Sequence, residues 1–207
     1  MSSKVSAAIS KGENKAWDIL RTLSPEDVCR RASVQYAKAS SLYVVRSLGM
    51  DFNVIPRERR ISSTSANGEL FLERLEYFFG LSILWYLVSA KDAPLTGKLV
   101  KLEDMKDGQF FAGGSHTLPL SRLASRYGND KEGFIMKGKE FGAEELDYGD
   151  ASIRLFAFPR VPVVMILWVG DEEFPHQVNL LFDSSCEEHT PIDVTWSIAM
   201  MSTLALF

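Results

Sequence analysis

The densest run of chemically able side chains is Trp168-Val-Gly-Asp171-Glu172-Glu173-Phe-Pro-His176, with Asp183 following after one short strand-like stretch. Three carboxylates and an imidazole at this spacing could hold a hard cation through oxygen or, with His176, a transition metal. Two carboxylates of unequal burial could also divide the work of an acid and a base. The same run reads more simply as a solvated turn. Gly170-Asp171 bends the chain, the acids keep the bend in water, and Phe174-Pro175 bring it back to the core. On this reading a site on the turn serves binding rather than turnover. The ligand-binding candidates are Trp168, Asp171, Glu172, Glu173, His176 and Asp183; no catalytic residue and no metal site is assigned.

His116, in Gly113-Gly-Ser-His-Thr, joins the binding candidates. Glycines and hydroxyls beside an imidazole could cradle an anion just before a helix start near Pro119, although a plain loop is the simpler reading. Nucleotide-binding glycine motifs are absent. Ser115, Ser184 and Ser185 lack the Gly-x-Ser-x-Gly elbow of a serine hydrolase. Cys186 and His189 would share a face if their turn is helical, but proximity within a capped turn explains them as well. Trp85, Tyr86, Phe110, Phe111 and Trp168 could line a pocket for a flat ligand; core packing accounts for most of them.

The elements that must position these groups follow from periodicity. Ala16, Trp17, Ile19, Leu20 and Leu23 make a helical stripe after the capping pattern Ser10-Lys-Gly-Glu13. Ser24-Pro25-Glu26-Asp27 opens a second helix. Leu42–Val45 and Phe52–Ile55 are strand-like runs about a turn at Gly49, with Arg57–Ser65 an exposed strand or loop. Glu69–Ala90, capped by Asn67 or Gly68, is a central helix, because its second half is apolar all round and must be enclosed by protein. Pro119–Tyr127 reads as a helix closed by Gly128 in the left-handed C-terminal position, and Asn129–Glu132 caps another that runs to Phe141. Ser152–Phe158, Val161–Val169 and Gln177–Phe182 then form an antiparallel three-strand meander. Thr190-Pro191-Ile-Asp193 caps the last helix. Strands fall in two clusters with helices around them, so the expectation is a single α+β domain over residues 1–207.

Composition bounds the function. The 207 residues carry a net charge of −4, which excludes a dedicated nucleic-acid binder. The apolar runs are too short to span a bilayer, and the N-terminus has no signal-like apolar segment, so a cytoplasmic protein is expected. Cys29 and Cys186 stand far apart and supply no iron–sulfur or zinc ligand set; in a reducing compartment both are free thiols.

The stretch from Phe158 through Trp168-Val-Gly-Asp-Glu-Glu-Phe-Pro to Leu181-Phe-Asp183-Ser-Ser resembles an uncharacterised family of roughly 200-residue proteins of anaerobic bacteria and archaea. Ala93-Pro-Leu-Thr-Gly97 and Leu120-x-x-Leu-Ala-x-Arg-Tyr-Gly128 carry the same resemblance. Some relatives bear an extra four-cysteine module similar to that of corrinoid iron–sulfur proteins, which this chain lacks. The resemblance implies a setting in anaerobic redox or corrinoid chemistry, with corrinoid association resting on it alone, and it supplies no established site residues. The expected function is a binding or accessory module with a small-molecule or protein partner. The alternatives are an enzyme using Asp171, Glu172, Glu173 and Asp183 for acid–base or metal-assisted chemistry, and a structural homo-oligomeric subunit; a homodimer is open.

Overall fold

A computed structural model describes residues 3–111 and 116–207. The chain is α+β, with two antiparallel sheets and helices packed around them. The first sheet runs in sequence order through β1 (Gln35–Ala37), β2 (Leu42–Ser47), β3 (Met50–Ile55) and β4 (Arg60–Ser63). Between β2 and β3, Leu48 (φ 46°) and Gly49 (φ 74°) are both left-handed, the combination that a two-residue hairpin turn requires. Burial of the Leu48 side chain accompanies its unusual backbone. Its N–H donates to Phe156 O at 2.9 Å, and Ser47 Oγ donates to Ala157 O at 2.6 Å. Those two bonds tie the first sheet to the second.

The second sheet contains β5 (Leu99–Val100), β6 (Glu144–Leu146), β7 (Ala151–Phe158), β8 (Val161–Trp168) and β9 (Gln177–Asp183), in the spatial order β5-β9-β8-β7-β6. The three-strand antiparallel meander is as expected from the runs and their short connections, with Met165 facing Ile153 on one side and Leu180 on the other. Val161 through Leu167 are all buried, as an uncharged central strand demands. β1, β5 and β6 escape the sequence reading because two or three residues carry no period.

The central helix is α3 (Ala66–Ser89), flanked by α1 (Ser3–Leu20), α2 (Pro25–Ala32) and α7 (Ile192–Ala205). It starts earlier than expected: Ser65 Oγ, not Asn67 or Gly68, caps it by accepting the Gly68 N–H at 3.0 Å. In its second half Ile83, Leu84, Tyr86 and Leu87 are buried, while Trp85 and Val88 are half-buried. The remaining helices are α4 (Leu120–Tyr127), α5 (Lys131–Glu140) and α6 (Cys186–His189). Asp130 caps α5 by accepting from Gly133 N at 2.8 Å. Three more capping expectations are corrected. Ser10-Lys-Gly-Glu13 lies inside α1, which already runs from Ser3, and does not open it. Gly128 is right-handed (φ −55°), not left-handed; a glycine is needed there because a Cβ would lie 2.2 Å from the His176 ring. Thr190 does not cap α7; its hydroxyl is paired with that of Thr195 at 2.9 Å. One hydrophobic cluster runs through helices and both sheets, and no helix among the described residues is long and apolar enough to cross a membrane.

Candidate functional site

The β8–β9 connection leaves the buried centre of the second sheet and bends in water. Asp171 makes that bend. Its Oδ1 accepts the N–H groups of Glu173 and Phe174, both at 2.8 Å, and its own N–H donates to Phe174 O at 2.9 Å. The two backbone donors, Phe174 first, hold the Asp171 carboxyl below its ordinary range. Gly170 sits where a Cβ would strike Phe174 O at 2.4 Å, so a glycine is required for the close approach. Its N–H donates to His176 Nδ1 at 2.7 Å. His176 thereby closes the turn while its ring lies against Gly128 at the end of α4. This is a turn fixed by its own side chains.

What the turn presents is aromatic and acidic. Trp168 (45% exposed), Val169 (37%) and Phe174 (64%) stand in solvent, and Trp168 Nε1 donates to Asn179 Oδ1 at 2.8 Å. The β6–β7 turn lies beside them: Val169 N donates to Asp150 Oδ2 at 2.9 Å and Asp150 N to Leu167 O at 3.0 Å. It adds exposed Tyr148, Asp147 and Asp150 to the exposed Asp171, Glu172 and Glu173. Lys131 reaches Asp150 only at 4.0 Å. Sequence reasoning missed Asp147, Tyr148 and Asp150, since their place beside Trp168 is set by the β7–β8 register and not by any local pattern.

Asp183 belongs elsewhere. It stands at the far end of β9, about 20 Å from the turn at the usual strand rise. Its carboxylate accepts from Thr96 N (3.0 Å), Thr96 Oγ1 (2.8 Å), Gly97 N (2.7 Å) and Ser185 N (2.9 Å). Burial alone would raise this carboxyl; the bonds from Thr96 and Ser185 outweigh it and hold it at about 2. The structure therefore brings Trp168, Asp171, Glu172, Glu173 and His176 together and leaves Asp183 apart, so the acid–base pairing of the loop with Asp183 has no geometry to support it.

His116 belongs to a third place. Its ring packs edge-on against Trp196 (5.2 Å) and Phe111 (5.0 Å), and Trp196 Nε1 donates to its carbonyl at 2.6 Å. The rest of the anion cradle considered there, Gly113 to Ser115, lies outside the described residues. Cys186 is buried with Thr190 Oγ1 at 3.6 Å and Thr195 Oγ1 at 3.9 Å. Burial pushes its thiol up to about 11, which leaves no thiolate for chemistry near neutrality. The imidazole of His189 is engaged with the Lys91 backbone instead. Among the described residues no group of three or more His, Cys, Asp or Glu could hold a metal ion. Open grooves of about 450 Å³ (beside Lys106 and Glu187) and about 400 Å³ (beside Trp17 and Arg59) are lined by none of the binding candidates.

No curated protein and no solved structure matches the chain. A family model does match, over residues 24–205, a span that opens at the Ser24 cap of α2 and follows α1. That span contains both sheets, the central helix and the aromatic–acidic turn, and by it the chain belongs to the uncharacterised family described as a domain of unknown function, DUF3786.

Proposed function

We propose that the protein is a cytoplasmic binding or accessory module that docks a basic protein surface through the tip formed by the β8–β9 and β6–β7 turns. One observation carries the reading. A turn held rigid by Asp171 and His176 keeps Trp168, Val169 and Phe174 in solvent and rings them with acids. Aromatic side chains are the commonest anchors of protein interfaces, and preorganising them lowers the cost of ordering on binding. Two tips meeting across a twofold axis would set like charges against each other, so charge complementarity favours a basic partner over a second copy. The resemblance noted in the sequence suggests a setting in anaerobic redox or corrinoid chemistry for that partner.

The test uses the full chain with a photo-crosslinking residue in place of Tyr148, expressed in anaerobically grown cells. The reading predicts one dominant adduct to a basic protein, lost with Glu172→Lys plus Glu173→Lys and weakened by salt. Adducts that survive the charge reversal, or a ladder of the chain's own multimers, would count against it.

A further inference from the structure

The connection that leaves α3 is held at three successive points. His189, fully buried, grips its start: Nδ1 accepts the Lys91 N–H at 3.4 Å, and the His189 carbonyl accepts from Ser89 Oγ at 2.8 Å. Since Nδ1 accepts, the proton of the neutral ring sits on Nε2, which is buried without a partner. Arg160, in the β7–β8 turn, grips the middle, with Nη1 donating to Ala93 O at 3.0 Å and Nη2 to Asp92 Oδ1 at 2.5 Å. Asp183 grips the end at Thr96 and Gly97. The middle point also reaches α2: Arg30 pairs with Asp92 at 3.2 Å, and Arg160 Nη2 donates to Arg30 O at 3.2 Å.

We propose that His189 is a proton-operated latch: neutral, it closes the Lys91 backbone onto α6, and protonated, it releases the Lys91 N–H while Arg160 retains Asp92 and Ala93 and Asp183 retains Thr96 and Gly97. A proton on Nδ1 removes the acceptor for Lys91 N–H. It also creates a buried cation in the field of Arg160. The charges that bear on the ring are Arg160 from the β7–β8 turn, Lys91 from the connection, Glu188 from α6 itself and Asp183 from the end of β9. Lys91 and Glu188 are paired at 2.7 Å and offset one another. Burial first, then Arg160, depresses the imidazole below its ordinary value.

The sign follows from linkage. A base whose closed-state pKa is depressed stabilises the closed form above the open-state value, about 6.5 for an accessible histidine, and loses that contribution as pH falls below it. Asp183, held at about 2, keeps its charge throughout that interval. Of the two titrating points, only the latch responds between pH 6 and pH 4, in rough terms.

Amide hydrogen exchange on the full chain, read by NMR from pH 7 to 4.5, tests this. After correction for intrinsic exchange, the protection factor at Lys91 N–H should fall about tenfold per pH unit below the histidine range, while that at Gly97 N–H holds. In His189→Gln, whose side-chain oxygen can still accept from Lys91, the slope should vanish. Flat protection at Lys91 in the parent, or an unchanged slope in the variant, overturns the latch. The ring signals of His189 in the parent give a check independent of the variant's folding: their titration midpoint should lie below the accessible value of about 6.5, at the acid end of the fall in Lys91 protection, and a midpoint at or above that value would exclude the latch.

Discussion

At one end of the β7–β9 meander an aspartate is enclosed by the chain; at the other, acids stand in water around exposed aromatic rings. Asp183 spends its oxygens on Thr96, Gly97 and Ser185. Asp171 spends one oxygen on the bend that holds its own turn, and Glu172 and Glu173 spend nothing that fixes the fold. The residue types are the same and the roles opposite. A carboxylate becomes structural when backbone N–H groups converge on it and water is excluded. It stays available to a partner when the fold is already complete without it.

The largest effect expected from breaking that contrast is at Asp183. Asp183→Ala would leave the Thr96, Gly97 and Ser185 N–H groups without their acceptor and should lower stability by about 3–5 kcal/mol in urea denaturation. The parent should show the matching pH dependence. The folded-state carboxyl at about 2 lies below the ordinary value of 3.8, so the contribution is complete above pH 4 and fades as pH drops toward 2. The penalty of the variant should shrink over the same interval. A constant penalty would mean that Asp183 acts through packing and not through its charge.

Next in size is the contact that joins the tip to the helix layer. Gly128→Ala places a Cβ 2.2 Å from the His176 ring, and that ring cannot yield without losing its bond to Gly170 N–H. A loss of about 1–3 kcal/mol is expected, the range for overpacking. His176→Ala should remove the clash, so the double variant should be more stable than additivity allows. Full additivity would show that the ring and the glycine are independent.

This contact also shows where the sequence stops speaking. A glycine after a helical run announces a terminus, and the terminus is there; that it answers to an imidazole from a distant turn is tertiary and carries no local signal. The long helix, the meander and the bend at Gly170-Asp171 were legible because each is written in adjacent residues: an unbroken apolar run, uncharged strands, and a turn dipeptide flanked by acids. Asp183 was legible as an acid at a strand end but not as a clamp, since three of its four bonds come from Thr96 and Gly97, 86 or 87 residues earlier. The tip was half legible. Trp168 and the acids of the turn stood out, whereas Tyr148 and Asp150 reach them only through the strand register.

Asp171→Ala should have a smaller consequence than either change above. It removes the acceptor for two backbone N–H groups that water can still reach, so the melting temperature should drop by roughly 2–4 °C. An unchanged or raised melting temperature would mean that the carboxylate does not hold the turn, and would return it to the list of groups kept for chemistry.

The smallest stability effect is expected at Glu172→Gln, and it is the one that bears most directly on what the tip is for. Glu172 is exposed and accepts no backbone bond that shapes the turn. Its neutralisation should leave the melting temperature within about one degree of the parent. If the acid were merely solubilising, crosslinking from the tip would be equally untouched. If it faces a basic partner, the adduct should weaken, and weaken less at high salt, where screening has already removed part of the attraction in the parent. Association should slow more than dissociation quickens, because a rim charge steers encounter. Stability unchanged with slower, salt-sensitive association separates an acid kept for a partner from one kept for the fold, which is the distinction between the two ends of the meander.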